Sequence, residues 1–264
     1  MNIIACIPAR LESSRFPNKP LEEILGMPMI GHVYLRTLQS ELLSQTYVAT
    51  CNEEIYNYIL SIGGKAVMTS NKHEGCVDRC AEAMLKIEAE TGKKTDILLL
   101  IQGDEPMIHP KMIELSLKPL IENPSISIAN MMTEIKDDEE FEDPNEVKVV
   151  VDKNHDAIYF SREAIPSKKK FGRHKKRYKQ TCIIPFRRDL LLNFQKMQRT
   201  PLEIIESIDM LRLLEEGVKI RMVPNPFNVY SVDTPEDLKK VEGLMKDDPL
   251  QRSYQKKREL AKNL

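Results

Sequence analysis

Cys6-Ile7-Pro8-Ala9-Arg10-Leu11-Glu12-Ser13-Ser14-Arg15-Phe16-Pro17-Asn18-Lys19-Pro20-Leu21 stands at the end of a short apolar run that begins at Ile3. Ile3, Ile4, Ala5, Cys6 and Ile7 are β-branched or small and are bounded by Pro8, which predicts a short strand buried on both faces. Beyond it Pro8, Pro17 and Pro20 exclude regular helix, while Ser13 and Ser14 favour turns. Three cations, Arg10, Arg15 and Lys19, therefore ride on an irregular but stiffened loop. Open α/β sheets bind ligands directly after such a strand. The cations suit a polyphosphate, because Arg supplies planar bidentate donors and Lys a compact point charge. The competing reading is a solvated basic loop.

Working outward, the pattern alternates strand and helix. A strand and turn are expected over 22–26, a helix over 29–40 with Pro28 near its start, a strand over 47–50, and a helix over 53–62 stopped by Gly63-Gly64. Residues 65–69 make a third strand, and such alternation calls for a parallel sheet with right-handed crossovers. The apolar run 96–101 then ends in Gln102-Gly103-Asp104-Glu105-Pro106, which places a carboxylate at the C-terminal end of a buried strand. Asp233 ends a further expected strand, 230–232, and the following Thr234-Pro235-Glu236-Asp237 caps the last helix, with Asp237 serving the cap. Mg²⁺ takes hard oxygen ligands, commonly one or two carboxylates beside substrate phosphates, so Asp104 and Asp233 are read as its ligands. A turn built for backbone geometry is the other reading of Gly103-Asp104. No role is read for Glu105.

The middle of the chain is expected to hold a helix over 112–122, a strand over 125–133 and a solvated acidic connector over 136–143. A hairpin follows, 147–152 and 157–160 about the turn 153–156, then a strand over 180–186 and a helix over 188–195. One helix is expected over 201–216, ending at Gly217, and a strand over 220–223. The block 167–179, S-K-K-K-F-G-R-H-K-K-R-Y-K, has two aromatics and no motif of a nucleic-acid reader. It reads as a mobile basic loop over an anionic site, or as a solvated loop.

The first motif, P-A-R-x-x-S-S-R-x-P-x-K-P-L, resembles the nucleotide-binding signature of the sugar-acid cytidylyltransferases, the 3-deoxy-manno-octulosonate (Kdo) cytidylyltransferases in particular. Gln102 to Pro106, Asn145 to Val150, Tyr159-Phe160-Ser161-Arg162, Pro201-Leu202-Glu203 and Val232 to Leu238 resemble that family's later motifs in the same order. The resemblance implies a Rossmann-like nucleotidyltransferase fold, a mainly parallel central sheet with a smaller β-rich insertion over about 130–200, in one domain of 1–246 followed by a charged tail, 247–264. It implies CTP, an acidic 2-keto sugar and Mg²⁺ as ligands, and a homodimer. Pro8, Ala9, Arg10, Ser14, Arg15, Lys19, His73, Cys76, Asp78, Arg79 and Gln102 would bind the nucleotide, and Arg162, Gln180, Ile184, Glu203 and Glu206 the sugar. Arg10, Arg15, Lys19, Asp104 and Asp233 would carry the catalysis.

Two departures stand out. Where the family has H-x-S-G-T-[ED]-R, this chain has His73-Glu74-Gly75-Cys76-Val77-Asp78-Arg79, without the hydroxyl that could bond the base or cap the helix. Where it has H-L-G-I-Y-G-[YF], a histidine and a tyrosine have become Gln180 and Ile184, and a glutamine of the next helix is Met210. These changes point to an acceptor that is a close acidic relative of Kdo, such as 8-amino-Kdo, or to Kdo itself with Gln180 replacing the histidine's bond. Rival readings are a nucleotidyltransferase for another base or sugar and a catalytically silent nucleotide sensor or scaffold, against which the paired aspartates argue.

Composition bounds the rest. The 264 residues carry 39 Lys and Arg against 40 Asp and Glu, a formal net charge of -1, so no global field recruits nucleic acid or an anionic membrane. No apolar stretch approaches the ~18 residues of a membrane span, and the N-terminus reads as a strand rather than a signal peptide, which makes the cytoplasm the default. Five cysteines without paired spacing fit a reducing compartment. His73, Cys76 and Cys80 lack the second ligand pair of a zinc site, and buried thiols explain them better.

Overall fold

The computed structural model describes residues 1–12, 16–73, 75–167 and 176–254. The chain forms two compact units, one built from 1–114 and 229–264, the other from 115–228. The second is wider than the insertion expected over 130–200.

In the first unit four strands, β1 (Ile3–Ala9), β4 (Gln45–Thr50), β5 (Ala66–Met68) and β6 (Ile97–Ile101), pair in parallel in the order β6-β1-β4-β5. Ile4, Ile7, Val48 and the whole of β6 are buried, as expected of strands covered on both faces. β1 runs two residues past the predicted stop, because Pro8 still accepts in the ladder and lacks only a donor. Between the strands lie α1 (Met29–Thr37), α2 (Glu53–Ser61) and α3 (Cys76–Thr91). The small hairpin β2 (Glu23–Ile24) and β3 (Met27–Pro28) turns through Leu25 and Gly26, both at positive φ. Chain order reverses on either side of β1, since β4 lies on one flank and β6 on the other. The crevice at the carboxyl end of such a reversal is where ligands of these sheets bind.

Beyond β6, α4 (Pro110–Glu122) carries the chain into the second unit. There β7 (Ala129–Glu134), β8 (Lys148–Val151), β9 (Ala157–Ser161), β10 (Tyr178–Thr181) and β12 (Arg221–Asn225) form a sheet in the order β12-β7-β10-β8-β9, in which β12 alone pairs in parallel. The β8-β9 hairpin turns at His155, at φ 62. β11 (Ile183–Arg187) and α6 (Arg188–Lys196) complete this part.

Several predicted elements differ. The connector over 136–143 holds a short helix, α5 (Asp138–Glu142), capped by the Asp137 carboxylate; it buries Phe141 completely and pairs Glu140 with Lys179 at 2.7 Å. It is amphipathic rather than merely solvated. The basic block is described only outside 168–175. At its end Arg177 lies 4.4 Å over the Phe141 ring and pairs with Asp138, and Lys179 is buried between Glu140 and Glu146. The strand over 180–186 is two strands, parted at Cys182.

The helix expected over 201–216 is also two, α7 (Pro201–Glu206) and α8 (Met210–Glu215), parted by Ser207 at φ 55. Arg162 Nε donates to the Glu206 carbonyl at 2.8 Å and Nη2 to that of Ser207 at 3.4 Å, so acceptors that would continue the helix are taken. Residues 230–232 form no strand: Val232 N–H donates to the Asp104 carbonyl at 3.0 Å, one bond rather than a ladder. The last helix, α9 (Pro235–Met245), is capped through Thr234 and Asp237. The charged tail, which reads as a frayed helix, is helical over 249–254 and docked, burying Gln251 and Tyr254.

Candidate active site

The first unit contains a cleft of about 320 Å³ at the carboxyl ends of β1 and β6. Pro8, Ala9 and Arg10 come from the end of β1, Lys19 from a 3₁₀ turn over Lys19–Leu21, Cys76 and Arg79 from the start of α3, and Gln102 and Asp104 from the turn after β6. These eight predicted site residues are thus brought together. Ser14 and Arg15 lie outside the described residues.

At its centre Lys19 Nζ donates to Asp104 Oδ2 at 2.8 Å and to Asp233 Oδ1 at 3.2 Å. Burial alone would lower the Lys19 pKa; the two carboxylates outweigh it and hold the ammonium above its usual range. The group is put there by packing. Phe16, three residues before Lys19, shares an apolar cluster with Val232, the neighbour of Asp233, and with Ile24, Met29, Val241 and Met245. Glu105, unassigned from sequence, is buried and accepts from Ser231 Oγ at 3.0 Å, so two bonds lay 231–233 along 104–105.

Asp104 Oδ1 is buried without a hydrogen-bond partner. A carboxylate with an unfilled oxygen beside a second carboxylate is a donor set that Mg²⁺ accepts when phosphate and water complete its shell. Among the described residues no group of three or more His, Cys, Asp and Glu side chains could hold a metal by itself, so such an ion needs substrate oxygens.

Gln102 Nε2 donates to Cys76 Sγ at 3.7 Å, joining two residues expected to bind the nucleotide. Arg79 Nη1 donates to Thr69 Oγ1 at 2.6 Å and to the Ser70 carbonyl at 3.3 Å, which ties the end of β5 to α3. His73 is turned to Glu82, whose carboxylate also accepts from the Ser70 N–H at 2.9 Å. Asp78 is half-buried in the first turn of α3. Glu12, Pro20, Met29, Gly75 and Gly103 also line the cleft and were not singled out. At Gly103 a Cβ would lie 3.1 Å from the Pro8 carbonyl oxygen, a tight contact that glycine spares this turn as it passes β1.

The predicted sugar residues lie in the second unit. Glu206 accepts from Ser161 Oγ at 2.7 Å, from the Arg162 N–H at 2.9 Å and from Tyr159 OH at 3.3 Å. The Arg162 guanidinium is engaged by the carbonyls of Pro144, Glu206 and Ser207. Glu203 is buried in an ion pair with Arg212, with Nη2 to Oε1 at 2.5 Å and Nε to Oε2 at 2.7 Å. Gln180 Nε2 donates to Asn130 Oδ1 at 2.6 Å. Ile184 and Met210, two of the positions that departed from the family pattern, are buried side chains.

A family described as Cytidylyltransferase matches residues 4–220. The 3-deoxy-manno-octulosonate cytidylyltransferase of Geobacter metallireducens is 43% identical over 251 residues, covering 91% of this chain and 96% of that protein. That of Geobacter sulfurreducens is 41% identical over 251 residues, covering 91% and 98%. A solved structure of CMP:2-keto-3-deoxy-manno-octonic acid synthetase complexed with CTP superposes with a TM-score of 0.85 at 38% identity, covering 93% of this chain and 98% of that one.

Proposed function

The chain belongs to the 3-deoxy-manno-octulosonate cytidylyltransferase family, and from that premise we propose that it transfers CMP from CTP to the anomeric hydroxyl of Kdo, releasing pyrophosphate and supplying an activated sugar for lipopolysaccharide. The observation that carries the reading to particular residues is the Lys19 ammonium held between Asp104 and Asp233 in a cleft that Arg10 and Gln102 also line.

In the proposed mechanism Arg10 and Lys19 bind the triphosphate and offset the charge that grows on departing pyrophosphate. Gln102, Cys76 and the backbone at Gly75 face the base. Asp104 and Asp233 would hold Mg²⁺, which when bound draws charge from the α-phosphate and lowers the pKa of the attacking hydroxyl. No step needs a side-chain base. The donors around Glu206 are the groups of the second unit best suited to sugar hydroxyls, and Gln180 stands beside Asn130 with its own acceptor oxygen. Burial of Ile184 and Met210 supports Kdo as acceptor, since buried apolar side chains at these places hold the core rather than mark a reshaped hydroxyl site. A cytoplasmic homodimer completes the reading; no helix of the described residues is long and apolar enough to cross a membrane.

Pyrophosphate release measured with each of the four NTPs against Kdo, 8-amino-Kdo and nine-carbon keto acids tests this. CTP with Kdo should give the highest kcat/KM, and Asp104→Asn should lower kcat by at least about a hundredfold while CTP still binds. Preference for another pair of substrates would replace the assignment.

A further inference from the structure

Lys19 faces two tasks in one place. Its ammonium already pairs with Asp104 Oδ2 and Asp233 Oδ1, at 2.8 and 3.2 Å, and the three side chains are largely covered, at 12, 22 and 25% exposure. Two carboxylates and one ammonium leave a single net negative charge, a much weaker attraction for a divalent ion than the bare pair would offer. A metal on the same carboxylates would also meet the ammonium at close range, where like charges in a poorly solvated site repel strongly. Removing the lysine without giving it another partner is equally unfavourable. Triphosphate oxygens are that partner, as strong charge-assisted acceptors.

We propose that Lys19 is a stand-in cation: it neutralises Asp104 and Asp233 in the nucleotide-free protein, excludes a divalent ion from them, and gives them up only when a triphosphate takes its ammonium. The proposal rests on the reading of Asp104 and Asp233 as metal ligands. It makes metal and nucleotide arrive together, so the free protein does not carry a divalent ion with an empty base site, and Asp104 Oδ1, already without a partner, is the oxygen left ready for the exchange.

The test is a Mn²⁺ titration of nucleotide-free protein, with free Mn²⁺ read by electron paramagnetic resonance, for wild type, Lys19→Met, Asp104→Asn and the exposed surface variant Lys93→Met. Lys19→Met should bind Mn²⁺ at least about tenfold more tightly than wild type, and Lys93→Met should match wild type. Circular dichroism verifies the fold, and Lys19→Gln, which keeps a hydrogen-bonding group, replaces the methionine variant if that one unfolds. Equal Mn²⁺ affinity in wild type and Lys19→Met, with affinity lost in Asp104→Asn, overturns the stand-in role alone. Affinity untouched by Asp104→Asn overturns the metal assignment and the stand-in role with it. An equal gain in Lys93→Met shows a general charge effect and overturns it too.

Discussion

His73, which the family resemblance places among the nucleotide-binding residues, turns its ring to Glu82 nine residues on, one turn and more into α3. Burial works to raise the Glu82 pKa, but Lys86, the Ser70 N–H and His73 together bring it from its ordinary 4.5 to about 2. A carboxylate whose folded pKa is depressed stabilises the fold above its unfolded value and loses that contribution as pH falls through the folded one. The loop over 69–73 should therefore weaken between about pH 4.5 and 2. Thermal midpoints followed by circular dichroism across that range should fall more steeply for wild type than for Glu82→Gln, and parallel curves would show that Glu82 carries no such linkage. Of the residues that line the cleft, Arg10, Lys19 and Asp104 were legible from a loop and a turn at strand ends, while Pro8, Ala9, Cys76, Arg79 and Gln102 were legible through the family resemblance. The His73 partner was not, because a pairing set by which way a ring turns leaves no spacing to read.

Among the elements, the parallel strands β1, β4, β5 and β6 follow from apolar runs of strand length, and a buried strand has few other ways to be written. The break between α7 and α8 has no counterpart in the pattern: the sequence over 201–216 keeps helical spacing, and the interruption comes from the donors of Arg162, a residue about forty positions away. Residues 230–232 fail as a strand for the same kind of reason, the Val232 N–H and the Ser231 hydroxyl bonding to Asp104 and Glu105 rather than into a ladder. The two short helices are fastened by Glu203 and Arg212, both nearly inaccessible. Burial opposes the Glu203 charge, and the Arg212 guanidinium outweighs it and lowers its pKa. Glu203→Gln leaves a buried guanidinium without its counter-charge and should cost about 3–5 kcal/mol. The urea midpoint should drop accordingly, whereas the double variant Glu203→Leu/Arg212→Met should recover much of the loss; a midpoint unmoved by the single change would show the pair to be energetically idle.

At the level of the whole molecule, the sequence is read as one domain over 1–246, and of the two divisions the one at 114/115 falls inside α4 and leaves no mark in the pattern, while only Pro224 and Pro226 stand near the one at 228/229. Nor did the tail announce itself. Over 249–254 its apolar positions are sparse, but Tyr254 OH lies 2.6 Å from His32 Nδ1 and accepts from Arg36 Nε at 3.3 Å, while Asp248 pairs with Arg36. His32 Nε2 faces the Ile24 carbonyl at 2.7 Å, which assigns it the proton and makes Nδ1 the acceptor for tyrosine. Tyr254→Phe removes the hydrogen bonds of the hydroxyl to His32 and Arg36 and should lower stability by about 1 kcal/mol in chemical denaturation, with CTP affinity at the cleft retained; an unchanged midpoint would mean the docked segment adds nothing. The first unit is closed by residues that come after the entire second one, and Asp233 is among them. On a ribosome the chain emerges at about 5–20 residues per second, N-terminal parts first. The loop that carries Lys19 thus exists for roughly ten to forty seconds before the second carboxylate that its lysine will hold, and a translation product stopped anywhere short of Asp233 has at most Lys19 and Asp104 of the cluster. Such fragments cannot complete the carboxylate pair, so truncated copies made under stress would carry Lys19 without the second carboxylate that holds it.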